Sequence, residues 1–112
     1  VMLTSVGPMT YKTWKDYISL STMKELEKQG TVGHIGGHFY DLKGNTIHSA
    51  LTERMIGIGL YDLKKAQEVI CVAGMEDKAE AILGALRGGY IDTLITDELA
   101  AARILELVES GQ

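Results

Sequence analysis

The stretch Glu68-Val-Ile-Cys-Val-Ala-Gly-Met-Glu-Asp-Lys-Ala-Glu-Ala-Ile-Leu-Gly-Ala-Leu-Arg-Gly-Gly89, followed closely by Thr93-Leu-Ile-Thr-Asp97, decides the fold. Glu68–Ala73 is an apolar, β-branched run stopped by Gly74, the pattern of a strand buried on both faces. Glu76 and Asp77 then open a helix, since acidic side chains suit the positive end of the helix dipole. Ala79, Ile82, Leu83 and Leu86 follow at helical spacing, and Gly88-Gly89 ends the element. Thr93–Thr96 reads as a second short buried strand. Asp97 is placed to cap another helix, whose apolar face is Ala101, Ile104, Leu105 and Val108. Strand, helix, strand, helix with short turns predicts parallel strands joined by a right-handed crossover, an α/β fold.

Upstream the signals are weaker. Val1–Val6 reads as a strand, and a chain that opens inside its core is expected to be part of a larger unit. Thr22 with Glu25 fits a capping box for a short helix that ends at Gly30. Thr31–Tyr40 alternates loosely, as one extended segment does, and Asp41-Leu-Lys-Gly-Asn45 is a turn. Gly57-Ile-Gly59 reads as another short extended piece. Residues 9–19, with Tyr11, Trp14 and Tyr17, read as a loop with one helical turn. No repeat or linker interrupts the chain.

Composition narrows the function. At 112 residues the chain makes one domain or a piece of one. The formal charge is −4 and the eleven Lys and Arg are scattered, so this segment lacks the basic patch of a nucleic-acid reader. The single cysteine, Cys71, cannot form an internal disulfide, which points to a reducing, cytoplasmic setting. No run approaches the roughly 18 apolar residues of a membrane span.

The residues with chemical potential gather at the strand ends. Gly74 and Asp97 are expected at the carboxyl ends of two parallel strands, where open α/β sheets bind ligands. Helix N-termini there favour a phosphate or carboxylate. Lys78 falls in the first turn of its helix, where the dipole disfavours a cation by several tenths of a kcal/mol. A bound anion reverses that penalty; alternatively Glu76 and Asp77 neutralise the turn and Lys78 points into water. His34 and His38, on one strand, would stand about 13 Å apart, too far to share a metal. No metal is expected at either histidine or at Cys71. Gly33-x-x-Gly36-Gly37 is no dinucleotide fingerprint, because no helix follows it. Ser19 and Ser21 lack a nucleophile context. Tyr11, Trp14 and Tyr17 stack on a sugar, line an interface or, more simply, pack locally. Asp97-Glu98 is either an acid–base pair or, more simply, a cap with a favourable first-turn charge.

Several blocks, in order, carry a resemblance: Gly33-His-Ile-Gly-Gly-His-Phe-Tyr-Asp41 with Gly44, then Ile56-Gly-Ile-Gly-Leu60 before Asp62-Leu63. After them come Val69-Ile-Cys-Val-Ala-Gly74, Lys78-Ala-Glu-Ala-Ile-Leu83, Leu86-Arg-Gly-Gly-Tyr-Ile91 and Leu94-Ile-Thr-Asp-Glu98. Together they resemble the sugar-binding domain of SorC-family transcriptional regulators over about residues 30–105. The resemblance implies an N-terminal helix-turn-helix followed by an effector domain. That domain would have the Rossmann-like parallel sheet of glucosamine-6-phosphate deaminase and ribose-5-phosphate isomerase. Residues 1–112 correspond to its C-terminal half; the helix-turn-helix and the first half lie outside. A phosphorylated sugar is the implied effector, DNA is met only through the helix-turn-helix, and a homo-oligomer is expected with no cofactor.

Residue by residue, Lys78 matches the lysine placed against the phosphate. His34 stands where the family usually has Asp or Glu facing the sugar hydroxyls, and Met75 where a second glycine is common. Gly74, Met75 and Asp97 complete the implied effector site. The expected role is sensing rather than catalysis. The alternatives are an isomerase or deaminase of the same fold, with Asp97 or His34 as acid and base, and a module that only mediates assembly.

Overall fold

The computed structural model describes residues 1–112, the side chains of Tyr11, Thr13 and Ala50 excepted. Two sheets share one central helix. Strands β1 (Met2–Thr4), β6 (Val69–Val72) and β7 (Thr93–Ile95) form a parallel sheet in the order β1-β6-β7. Register pairs Cys71 with Thr4 on one side and Leu94 on the other. Strands β2 (Gly7–Pro8), β3 (Thr31–Ile35), β4 (His38–Asp41) and β5 (Thr46–Ile47) form an antiparallel sheet in chain order. The helices are α1 (Tyr11–Trp14), α2 (Leu20–Lys28), α3 (Ala50–Arg54), α4 (Leu60–Leu63), α5 (Ala79–Arg87) and α6 (Glu98–Glu109). None of them is long and apolar enough to cross a membrane.

The α/β class and the parallel pairing of β6 with β7 are as the sequence predicts. Helix α5 runs between these strands and buries Ala79, Ala81, Ile82, Leu83, Gly84 and Ala85, nearly its whole circumference. Ile82 and Ala85 join Val69, Cys71, Ala73 and Ala100 in the main core. On its other side the helix lies against the antiparallel sheet, at a distance only small residues permit. A Cβ on Gly33 would stand 2.5 Å from the Ala81 Cβ, and one on Gly84 2.6 Å from the Asp41 carbonyl oxygen. The buried Tyr40 hydroxyl donates to the Ala81 carbonyl at 2.6 Å, satisfying its polar end inside the core. A second apolar cluster, with Trp14, Ile18, Met23, Leu26 and Phe39, fills the space around α1, α2 and the hairpin.

Several expectations need correction. Strand β6 is buried on one face only: Val69 and Cys71 are 1% and 0% exposed, while Val72 is 47% exposed. The uncovered face continues through Leu3 at 73% and Ile95 at 54%. Thr31–Tyr40 is two strands, not one. Gly36 and Gly37 take positive φ and turn the chain back, so that Ile35 pairs with His38. The separation argued for His34 and His38 along a single strand therefore does not apply. Helix α2 is capped by Ser19, whose hydroxyl accepts from the Thr22 amide at 3.2 Å. Thr22 is thus already inside the helix, because the Ser19 hydroxyl one turn earlier takes the free amide. Residues 57–59 belong to no strand. The apolar face of α6 is turned from the one expected: Ala100 and Leu107 are buried, and Leu105 and Val108 are exposed.

Candidate functional site

Strand β6 ends at the Gly74 turn, and β7 ends at Asp97. The two ends are tied by one carboxylate. Asp97 Oδ1 accepts from the Ala100 amide at 2.8 Å, capping α6, and Oδ2 accepts from the Met75 amide at 2.7 Å. These backbone N–H groups, Ala100 first and Met75 second, hold the Asp97 carboxyl below the usual aspartate value. The approach requires Gly74, since a Cβ there would stand 2.5 Å from Asp97 Oδ2. Met75 pays for the turn in backbone strain: its φ of 78° with ψ of 147° is a region essentially confined to glycine.

After Met75 the chain makes a 3-10 turn, Glu76–Lys78, and only then the α-helix. This corrects the position of Lys78. It closes the short turn and occupies the N-cap of α5 rather than its first helical turn, and the Lys78 amide donates to the Met75 carbonyl at 3.2 Å. The side chain is half-buried and forms no ion pair among the described residues. Its charge reaches inward. Burial raises the Cys71 thiol pKa while Lys78 pulls it down, and burial followed by Lys78 lowers that of His34.

His34 arrives from the other sheet. It lies on β3 beside β2, where its ring covers Gly7, and a Cβ on Gly7 would stand 2.2 Å from Nε2. Trp14 packs edge-on against the ring, centroids 4.9 Å apart, and Phe39 lies at 6.1 Å. Beside them opens a hollow of about 320 Å³ lined by Trp14, Tyr17, His34, Leu51 and Met55. A second hollow of about 320 Å³, on the flank of the 3-10 turn, holds Glu27, Asp77 and Glu80, and this charge disfavours an anion there.

The structure therefore brings Gly74, Met75 and Asp97 together, Met75 by a hydrogen bond to Asp97 and Gly74 by close approach, with Lys78 in the next turn. His34 enters through the field of Lys78, and among the described residues it makes no hydrogen bond to Asp97 or Met75. Sequence reading did not single out Gly7, Leu51 or Met55, and none of them carries a periodic or motif signal. Trp14 was noted among three aromatics; its neighbour Tyr11 has a side chain outside the described set. Among the described residues no group of three His, Cys, Asp or Glu is placed to hold a metal ion.

Residues 1–106 match the family model described as "Putative sugar-binding domain". The transcriptional regulator LsrR of Escherichia coli K12 is 44% identical over 79 residues, covering 70% of this chain and 25% of that protein. The deoxyribonucleoside regulator of Bacillus subtilis is 42% identical over 82 residues, or 73% and 26%. Among solved structures, a transcriptional regulator from Streptococcus pneumoniae TIGR4 superposes with a TM-score of 0.84 at 34% identity, covering 96% of this chain and 41% of that one. The full-length sorbitol operon regulator SorC of Klebsiella pneumoniae gives 0.83 at 28%, covering 92% and 34%. The chain thus spans about a quarter of these curated relatives' length and less than half of these solved ones.

Proposed function

The chain belongs to the family of sugar-binding domains found in SorC-type transcriptional regulators, and from this premise we propose that it is the C-terminal half of a phosphosugar-sensing effector domain. In this reading a phosphorylated sugar binds at the carboxyl ends of β6 and β7. Its binding changes how a helix-turn-helix elsewhere in the same polypeptide, working as a homo-oligomer in the cytoplasm, holds its operator. One observation carries the proposal: Lys78 is a half-buried cation without a counter-ion among the described residues, set at the strand ends with its field reaching His34. A half-buried charge is stabilised by a partner, and a phosphate supplies one.

Gly74, Met75 and Asp97 shape the turn that presents Lys78. With the Met75 amide already given to Asp97, Lys78 and His34 supply the side-chain contacts. Sensing is favoured over isomerase or deaminase chemistry because Asp97, held ionised by two backbone amides, is a poor base near neutral pH. Charge-assisted bonds to phosphate contribute about 1.5–3 kcal/mol each. Lys78→Ala in the full-length polypeptide is therefore expected to weaken sugar-phosphate binding by roughly 10- to 100-fold in calorimetry. Folding and effector-free operator binding should be retained. Unchanged affinity would place the phosphate elsewhere, and unfolding would make Lys78 structural.

A further inference from the structure

We propose that Trp14 positions His34 by donating its indole N–H to the imidazole Nδ1, so that the ring proton sits on Nε2 and this nitrogen is a hydrogen-bond donor to the ligand. Trp14 Nε1 and His34 Nδ1 are both buried without a partner among the described residues. They belong to rings in edge-on contact, with centroids 4.9 Å apart at 78°. The indole nitrogen can only donate, and a neutral imidazole has one nitrogen that accepts. Buried polar groups are rarely left unpaired, and pairing this donor with this acceptor would satisfy both at once.

The surroundings agree with a neutral ring. His34 faces Lys78 from the 3-10 turn, Trp14 from α1, Phe39 from β4 and the backbone of Gly7 from β2, with no carboxylate paired to it among the described residues. Burial first and Lys78 second hold its pKa below the ordinary histidine value, which keeps Nδ1 free to accept. The Nε2 edge lies over Gly7, where a side chain would have no room. An Nε2–H within the field of the Lys78 ammonium suits an acceptor oxygen of the ligand, such as a carbonyl, carboxylate or phosphate oxygen. Only this last step rests on the function proposed above; the tautomer does not.

Nitrogen-15 spectra of the ligand-free, full-length polypeptide test the pairing. His34 is expected with Nε2 protonated and Nδ1 as acceptor, and Trp14→Phe should produce a mixture of tautomers. Should that variant not fold, two others decide. His34→Asn keeps an acceptor near the Nδ1 position and should preserve slow hydrogen exchange at the Trp14 indole. His34→Leu removes the acceptor and should speed that exchange at least about tenfold, on the scale of one lost hydrogen bond. A proton on Nδ1 in the wild type, a tautomer unmoved in Trp14→Phe, or equal indole exchange in the Asn and Leu variants would overturn the pairing. Lys78→Ala should leave the tautomer intact, so failure of the phosphate reading is seen separately.

Discussion

Met75 shows how one residue sets the strand-end turn. Its φ of 78° and ψ of 147° cost an L side chain about 1–3 kcal/mol. The turn persists because Asp97 grips the Met75 amide from one side and the 3-10 turn uses the Met75 carbonyl on the other. The side chain itself is 64% exposed, so no core contact is lost when it is removed. Met75→Gly should relieve the strain and give back part of the gain through the larger unfolded-state entropy of glycine. A net stabilisation of about 1 kcal/mol in urea denaturation is expected, and Met75→Ala should show none of it. A destabilised glycine variant would mean that the methionine side chain holds the turn.

At the scale of elements, the docking of α5 on the hairpin depends on matched small residues. Gly33 and Ala81 meet where a single added methyl has no room. Gly33→Ala should therefore cost about 1–3 kcal/mol as overpacking. Ala81→Gly in the same chain removes the tightest of these contacts, leaving the Gly7 carbonyl oxygen at 2.9 Å, at a helix-propensity penalty of about 1 kcal/mol. The double variant should recover more than additivity allows, giving a coupling of about 1 kcal/mol or more in a double-mutant cycle. Additive losses would show that the helix simply shifts outward. This contact also matters to the site, because α5 carries Lys78 at its start and β3 carries His34.

For the whole molecule, the parallel sheet is covered on one face only, whereas parallel sheets are normally buried on both. Leu3, Val72 and Ile95 form the uncovered face, and among the described residues β1 is an edge strand. The 112-residue chain by itself should bind a hydrophobic dye and associate as its concentration rises. Replacing Leu3, Val72 and Ile95 together by Thr, which keeps strand propensity, should reduce both signals severalfold. The same substitutions in the full-length polypeptide should instead lower its stability, if the proposed first half of the effector domain covers this face. Sedimentation and dye titration of the two lengths, with and without the substitutions, check this outcome.

The sequence alone determined the α/β class, the parallel strands of residues 68–96, the two helices after them, the Asp97 cap and the family. Each of these rests on local signals: a β-branched run, a 3.6-residue period, a capping side chain three residues from its amide, and ordered short motifs. Tertiary structure decided the rest. The hairpin at Gly36-Gly37 was hidden because strand period is the same on both sides of a tight turn. The one-sided burial of β6 was hidden because periodicity reports apolarity, not what covers it. Lys78 was legible as an unusual cation near a helix start, but its lack of a described counter-ion and its reach to His34 were not. Those depend on β3 and the turn before α5, more than forty residues apart in sequence, being packed together through Gly33 and Ala81.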